Sequence, residues 1–290
     1  MGYLSPFDPW RERSLCTCPF KYTVNPYTGC QHGCLYCYAS SYIRGFFSPR
    51  PKSNFLDTVR RDLTRIPQGA IINISSSSDP YQPLEARYLY TRRLLELVSS
   101  NYVVEIVTKS DLVVRDVDLL LKARSVVSVT ITTLDETLAK RLEPGAPPPS
   151  KRIRAIEALA NAGIPVVLRY DPIIPGLNDS KDSISGVLEA AIAAGAMHVV
   201  SSTYKIKPDN LARMLSTFPD LEAKLSQVYR DRKSRVRGYI YADKEYRYSV
   251  LSTVRDIAHR LGASFAACRE GLTELNDKGI TCDGTFLACR

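Results

Sequence analysis

Three cysteines stand close together near the start of the sequence, in the segment NPYTGCQHGCLYCYA. Cys30, Cys34 and Cys37 have C-x3-C-x2-C spacing, with glycines at 29 and 33 that allow the tight backbone path of a ligand loop. A structural zinc site or a fully ligated four-iron cluster takes four protein ligands, whereas three thiolates leave one metal position open. The spacing therefore predicts a metal site with one open position, such as an iron–sulfur cluster in which one iron stays free to bind another molecule. A zinc site and three buried thiols are the alternatives.

Five further cysteines lie outside this motif. Cys16 and Cys18 precede it, and Cys268, Cys282 and Cys289 lie near the end of the chain with C-x13-C-x6-C spacing, which matches no fixed motif. One interpretation is an auxiliary iron–sulfur cluster on the three C-terminal thiols, completed by Cys16 or Cys18. The alternatives are a zinc site on the same thiols, a terminal disulfide such as Cys16 to Cys289, and simple burial of Cys268.

Between the two cysteine groups, short β-branched runs alternate with longer helical patterns. This alternation predicts six βα units and a parallel sheet. The predicted strands are residues 22–25, 70–75, 103–108, 126–132, 164–170 and 199–203. In a barrel or an open doubly wound sheet, ligands bind at the carboxyl ends of the strands.

Hydroxyl and charged side chains follow five of these predicted strands. They are the run Ser75 to Asp79, the pair Thr108 and Lys109, Thr130 with Thr132 and Thr133, Arg169 with Asp171, and Ser201 to Thr203. Polar residues at one strand end serve to meet solvent or to cap a helix, but their recurrence at five ends predicts one shared ligand site.

The pattern divides the chain into three parts. Residues 1–21 form an N-terminal extension with two cysteines, residues 22–205 form the barrel, and residues 206–290 form a helical and mixed extension with the second cysteine group.

The composition is that of a globular protein: 290 residues, 44% of them hydrophobic, with a net charge of +9. No apolar run approaches the roughly 18 residues of a membrane-spanning helix, and the N-terminus lacks the layout of a signal peptide. We therefore expect a cytoplasmic protein without membrane contact, in which thiols serve as metal ligands more often than as disulfides.

Positive charge is concentrated in one part of the C-terminal extension. Residues 230–247 contain seven Lys or Arg against three acids, interleaved with Tyr229, Tyr239, Tyr241 and Tyr246. Basic side chains among aromatic rings suit single-stranded or flipped-out nucleotides, and a solvated helix face is the equally good alternative.

The cysteine motif, together with SSSSDPYQPLE, TKSDLVVRD and the segment TTLDETLAKRLEPGAPPPSKRIRAIEALANAGIPVVLRYDPIIPGLND, resembles the spore photoproduct lyase-like group of the radical S-adenosylmethionine (SAM) superfamily. The resemblance runs from about Asn25 to Asp179. It implies an α/β fold, a partial (β/α)6 TIM-type barrel with a small C-terminal extension. It also implies a [4Fe–4S] cluster that cleaves S-adenosylmethionine reductively to a 5′-deoxyadenosyl radical.

The resemblance also implies roles for individual residues. Cys30, Cys34 and Cys37 take the cluster-ligand positions, and Tyr36 would lie against the adenine of S-adenosylmethionine. The remaining cofactor contacts are Ser77 at the methionyl or ribose end, Lys109 at the carboxylate and Thr130 at the ribose. An electron donor such as ferredoxin or flavodoxin is the implied partner.

One position departs from the namesake of the group. Spore photoproduct lyase places a hydrogen-donating cysteine at the end of the second strand, where this chain has serine near Ser75. A serine O–H bond is too strong to donate hydrogen readily, so we do not expect simple thymine-dimer reversal. The sequence instead predicts radical chemistry on a nucleic acid, as RNA modification or DNA repair. The alternatives are a small molecule or cofactor precursor as substrate, and a non-catalytic iron–sulfur protein that binds nucleic acid or transfers electrons.

Overall fold

The computed structural model describes residues 2–7, 15–231 and 235–288. Cys289, Arg232 and Lys233 lie outside these ranges. The strands are β1 (Ser5–Pro6), β2 (Tyr22–Val24), β3 (Tyr27–Thr28), β4 (Arg50–Pro51), β5 (Ile71–Ile74), β6 (Val103–Thr108), β7 (Arg124–Thr130), β8 (Val166–Ile173), β9 (His198–Thr203), β10 (Arg235–Val236), β11 (Tyr239–Ile240) and β12 (Ser264–Ala267).

Helices alternate with most of these strands. The α-helices are α1 (Phe55–Leu63), α2 (Pro83–Tyr88), α3 (Tyr90–Val98), α4 (Val117–Leu120), α5 (Glu136–Leu142), α6 (Pro149–Asn161), α7 (Lys181–Ala193), α8 (Pro208–Thr217), α9 (Leu221–Val228), α10 (Lys244–Arg260) and α11 (Thr285–Ala288). Short 3-10 helices span Ala39–Ser41, Asp111–Asp116 and Thr273–Leu275. No helix of the described ranges is long and apolar enough to cross a membrane.

The main sheet has eight strands in the order β1-β2-β5-β6-β7-β8-β9-β12. Every neighbouring pair from β2 to β12 is parallel, and only β1 pairs in the antiparallel direction. The six predicted strands are thus all present and adjacent in the predicted order, which confirms the partial (β/α)6 barrel.

Side chains alternate between the two faces of each strand, and the two faces have different compositions. The outer face packs against the helices through residues such as Val104, Val127 and Leu168. The inner face begins with an apolar layer and continues, nearer the carboxyl ends, with polar side chains. The apolar inner layer contains Val103, Val126, Val167, Val200 and Ala266. Function is therefore expected on the inner face, toward the carboxyl ends of the strands.

Two features differ from the sequence-based expectation. The helical pattern of residues 84–99 in the sequence predicts one helix, but Leu89 adopts a left-handed conformation with φ of 56° and separates α2 from α3. The segment assigned to a C-terminal extension also contributes β12, which pairs in parallel with β9 and adds a seventh parallel strand. Its run SFAA is too short and too weakly β-branched to stand out in the sequence.

His198, at the start of β9, is expected to make the stability of the protein depend on pH. Its ring lies fully buried beside Ser264, 2.9 Å from the hydroxyl, and burial lowers the pKa of the imidazole from 6.5 to about 4. The unfolded chain binds this proton below pH 6.5, so the stabilisation is complete above pH 6.5 and is lost as pH falls toward 4, by up to about 3 kcal/mol.

Urea unfolding at pH 6.5 and pH 4.5 tests this prediction. The wild-type protein should lose about 2 to 3 kcal/mol more between the two pH values than His198→Asn does. An equal pH dependence in the two proteins would show that the buried imidazole carries none of it.

Candidate active site

The three cysteines of the motif lie on the loop after β3 and line one cavity of about 280 Å³. Cys30 and Cys34 are buried, and Cys37 is partly buried. Backbone hydrogen bonds fix the loop: Cys30 N–H donates to the carbonyl of Phe46 at 2.9 Å, and Cys37 N–H donates to that of Cys34 at 3.2 Å. The loop therefore presents three thiols to one space at the carboxyl edge of the sheet.

Two glycines make this loop conformation possible. Gly29 has φ of 83°, and a Cβ there would lie 2.3 Å from the Phe46 carbonyl oxygen. Gly145, in the proline-rich connector before α6, approaches the loop so closely that a Cβ would lie 2.1 Å from the carbonyl oxygen of Gln31. A side chain at either position would displace the cysteine loop.

The donor set fits an iron–sulfur cluster better than a single ion. Burial raises the pKa of the Cys34 thiol, while the ammonium group of Lys109 acts against this shift and favours the thiolate. Among the described ranges, no three His, Cys, Asp or Glu side chains are arranged to hold one metal ion. The motif thus offers three soft ligands around a larger space, as a cluster with one open iron requires.

The polar strand ends gather at the same cavity, as the sequence predicted. The cavity wall includes Ser75 after β5, Thr108 of β6, Thr130 of β7, Asp171 of β8 and Ser202 of β9. Each belongs to a different strand, so the site depends on the whole sheet rather than on one segment.

The structure places the four residues assigned to the cofactor on the wall of the cavity that holds the three cysteines. Lys109 lies with its Nζ 5.6 Å from the centre of the Tyr36 ring. Ser77 is held in place by Asn25, whose side-chain oxygen accepts hydrogen bonds from the Ser77 amide at 3.0 Å and hydroxyl at 3.2 Å. Thr130 lies across the cavity on β7.

Sequence reasoning missed a buried charge pair behind this wall. Glu143 accepts a hydrogen bond from the Tyr36 hydroxyl and forms an ion pair with Arg152 at 2.5 Å. Both charged side chains are almost fully buried. Burial would raise the pKa of Glu143, but Arg152 and Lys109 outweigh burial and lower it, so the carboxylate is ionised. The Glu143–Arg152 pair therefore fixes the ring of Tyr36, the residue directly before Cys37.

Asp79 performs a similar positioning function on the other side. It accepts hydrogen bonds from the Thr108 hydroxyl and the Lys109 amide, each at 2.7 Å, and lies 3.3 Å from Nδ1 of His32. Asp79 thereby joins the cysteine loop to the end of β6. Its position in the polar run after β5 was the signal available in the sequence.

Four cysteines outside the motif come together, and three of them, Cys18, Cys268 and Cys282, line the same cavity as the motif. Cys18 and Cys282 have sulfur atoms 3.4 Å apart, and Cys16 and Cys268 are close to them. Cys289, the fifth member of the predicted second group, lies outside the described residues.

The basic segment at residues 230–247 does not present a row of exposed aromatic rings on which bases could stack. Arg230 pairs with Asp243, and Arg247 lies buried against Glu270. Three of the four tyrosines are also buried: Tyr229, Tyr239 and Tyr241. These three rings pack against the rest of the chain, so they are not free to stack on bases.

Comparison with known proteins agrees with this site. A family model described as the radical SAM superfamily matches residues 24–185. An uncharacterized protein of Methanocaldococcus jannaschii is 36% identical over 55% of this chain, and the match spans 62% of that relative. An uncharacterized protein of Mycobacterium tuberculosis is 30% identical over 73% of this chain and 68% of its own length. A protein of Pseudomonas phage M6 named radical SAM Nalpha-GlyT isomerase is 26% identical over 85% of this chain and 53% of its own length.

Solved structures share the fold. Spore photoproduct lyase complexed with dinucleoside spore photoproduct superimposes with a TM-score of 0.66 at 17% identity, over 85% of this chain and 76% of that one. The radical S-adenosylmethionine methyltransferase TsrM from Kitasatospora setae gives 0.60 at 13% identity, over 92% of this chain and 57% of that one. The family match covers more than half of the residues and contains the three-cysteine loop. This chain belongs to the radical SAM superfamily.

Proposed function

We propose that this radical SAM enzyme acts on a nucleic acid, with one nucleotide unit presented to the cavity. The observation that carries the proposal is the continuity of the cavity, which runs from the three cysteines to the cationic side chains of Arg169, Lys205 and Arg269. A cavity of about 280 Å³ is far too small for a duplex. The substrate would therefore be single-stranded or would present a flipped-out base.

Lys109 supports a particular placement of S-adenosylmethionine in this cavity. Burial alone would lower the pKa of Lys109, but Glu143 and Cys34 outweigh burial and raise it, so the side chain is a fixed cation beside the cysteine loop. A compact ammonium suits the methionyl carboxylate. Tyr36, Ser77 and Thr130, on the same wall, would contact the adenine, the methionyl or ribose end and the ribose.

The bound [4Fe–4S] cluster would supply the electron that cleaves S-adenosylmethionine, and a ferredoxin- or flavodoxin-type protein would supply that electron to the enzyme. The chain's own contribution is to hold the cofactor with buried polar groups and to keep water from the radical. Ser75, on the cavity wall after β5, cannot readily donate a hydrogen atom to a radical because its O–H bond is strong. We therefore do not propose thymine-dimer reversal.

Arg269 differs from the other two cations in its partners. Arg169 pairs with Asp171 at 2.6 Å and Lys205 with Glu270 at 2.9 Å. The Arg269 guanidinium instead lies 5.3 Å from the centre of the Tyr239 ring, and its Nε has no hydrogen-bond partner among the described residues. A phosphate oxygen at the cavity would supply the missing acceptor.

An exposed surface beside the cavity adds both charge and aromatic rings. The segment after the cysteine motif exposes 50% of Tyr42 and 45% of Phe47, together with the exposed Arg44 and Arg50. The segment adjoins the cavity because the neighbouring Phe46 lines it. Aromatic rings among arginines suit unpaired bases and their phosphates, and this surface takes the place of the segment favoured by the sequence.

One protein of the same fold supports a nucleic-acid substrate. Spore photoproduct lyase was solved with a dinucleoside spore photoproduct. That ligand belongs to that protein, and for this chain it supports only the proposal.

Salt-dependent binding of single-stranded RNA and DNA tests the proposal. Because each neutralised phosphate adds about 0.7 to the slope of log affinity against log salt for single strands, Arg269→Gln should reduce that slope by about 0.7. Arg124→Gln is the matched control, since Arg124 is exposed at the first residue of β7, at the opposite end of the strand from the site. Negligible binding at low salt, or an equal loss in the control, would contradict the proposal and favour a small-molecule substrate.

A further inference from the structure

We propose that Cys16, Cys18, Cys268 and Cys282 hold a second iron–sulfur cluster, beside the cavity that the three-cysteine motif lines. Three of these thiols, those of Cys18, Cys268 and Cys282, line that cavity. This set of four thiols is independent of the identity of the substrate.

The four thiols form one contiguous group although they come from opposite ends of the chain. Cys18 and Cys282 are separated by 264 positions in sequence, and their sulfur atoms lie 3.4 Å apart. Cys16 lies within hydrogen-bonding reach of Cys18, and Cys268 within reach of Cys282. Thiols placed only to fill the core would not need to converge from both termini.

Contacts with the inner face of the sheet hold the two C-terminal cysteines in place. Cys268 follows β12 directly, and its N–H donates to the Ser201 carbonyl at 2.8 Å. Cys282 packs on the inner apolar layer with Val126 and Val167. Next to it, Gly284 has φ of 72°, and a Cβ there would lie 2.4 Å from Cγ2 of Val167. The C-terminal segment therefore fits into the barrel only with glycine at this position.

Cations flank the thiol group, as a set of ionised ligands requires. Arg169 Nη2 lies 3.7 Å from the sulfur of Cys268. Lys21 is buried three residues after Cys18 and pairs with Glu105 at 2.6 Å and Asp283 at 3.0 Å. Thiolates must be deprotonated to bind metal, and buried positive charge favours that state.

Four thiolate ligands select zinc or an iron–sulfur cluster. A structural zinc site closes its ligands around one ion, whereas three of these thiols line an open cavity with room for a larger group, which favours the cluster. Four protein ligands would leave no iron open, so this cluster would not bind S-adenosylmethionine.

Iron and sulfide counting on the anaerobically reconstituted full chain tests the proposal. The wild type should hold about eight irons and eight sulfides, and the combined Cys30→Ala, Cys34→Ala and Cys37→Ala variant about four of each. In that variant, the electron paramagnetic resonance signal of the reduced cluster should not change when S-adenosylmethionine is added. The combined Cys16→Ser, Cys18→Ser, Cys268→Ser and Cys282→Ser variant should hold about four irons and keep the responsive signal.

Cys289→Ser is the matched control, and it should retain about eight irons because the four other thiols complete the ligand set. Four irons in the wild type would overturn the proposal. So would stoichiometric zinc in place of the second cluster, or a Cys18–Cys282 disulfide detected by alkylation and mass spectrometry. If the four-serine variant does not fold, the variant lacking the motif cysteines decides the question, because it keeps all four proposed ligands.

Discussion

A Cys34→Ala variant is expected to lose S-adenosylmethionine cleavage down to background. Cys34 is the middle cysteine of the motif, and its buried thiol lines the cavity together with those of Cys30 and Cys37. Two thiolates cannot hold three irons of a cluster, so the open iron position would not form. Anaerobic incubation with dithionite, followed by chromatography of 5′-deoxyadenosine, measures the loss.

The apo forms of the two proteins provide the folding control for this variant. Cys34 packs against a small apolar cluster that includes Leu142 and Ile174, and alanine keeps that environment apolar. The melting temperatures of the apo proteins should therefore be similar. Cleavage near the wild-type rate in Cys34→Ala would show that the motif is not the ligand set.

Arg152→Met is expected to destabilise the fold by about 3 to 5 kcal/mol, because it leaves the Glu143 carboxylate buried without its cation. Arg152 lies 2.5 Å from Glu143, and its guanidinium also donates to the carbonyls of Pro147 and Thr130 at 2.8 and 3.1 Å. Tyr36, which Glu143 holds, would lose its fixed position beside the cysteine loop. Urea unfolding of the apo protein measures the change.

Arg154→Met is the matched control, since Arg154 lies on the same helix but is exposed. It should change stability by less than about 0.5 kcal/mol. Combining Arg152→Met with Glu143→Gln should recover part of the loss, because the uncompensated charge is then removed. A loss below 1 kcal/mol in Arg152→Met, or an equal loss in the control, would contradict the structural role of the pair.

Much of the fold follows from local sequence patterns. Strand β6 matches its predicted range because VVEIVT is rich in β-branched residues and is bounded by turn residues. Strand β12 escaped prediction because SFAA gains its strand conformation from pairing with β9. Leu89 interrupts a helical pattern in a conformation that nothing in a leucine predicts.

The site divides in the same way. The C-x3-C-x2-C spacing pointed to the loop whose three thiols line the cavity, and the polar strand ends pointed to Lys109 and Thr130 as wall residues. Burial of Glu143 and Arg152 is a tertiary property, and a sequence shows charges without showing which are removed from water. Tyr239 and Tyr241 show the same limit: their place in a basic segment suggested an exposed binding surface, but both rings are buried.

Formation of 5′-deoxyadenosine by the reconstituted, dithionite-reduced wild-type protein tests the central claim most directly. The account predicts that this product accumulates when S-adenosylmethionine is added under anaerobic conditions, and that the Cys34→Ala protein forms none. A wild-type protein shown by iron and sulfide analysis to hold a four-iron cluster, yet forming no 5′-deoxyadenosine, would contradict it.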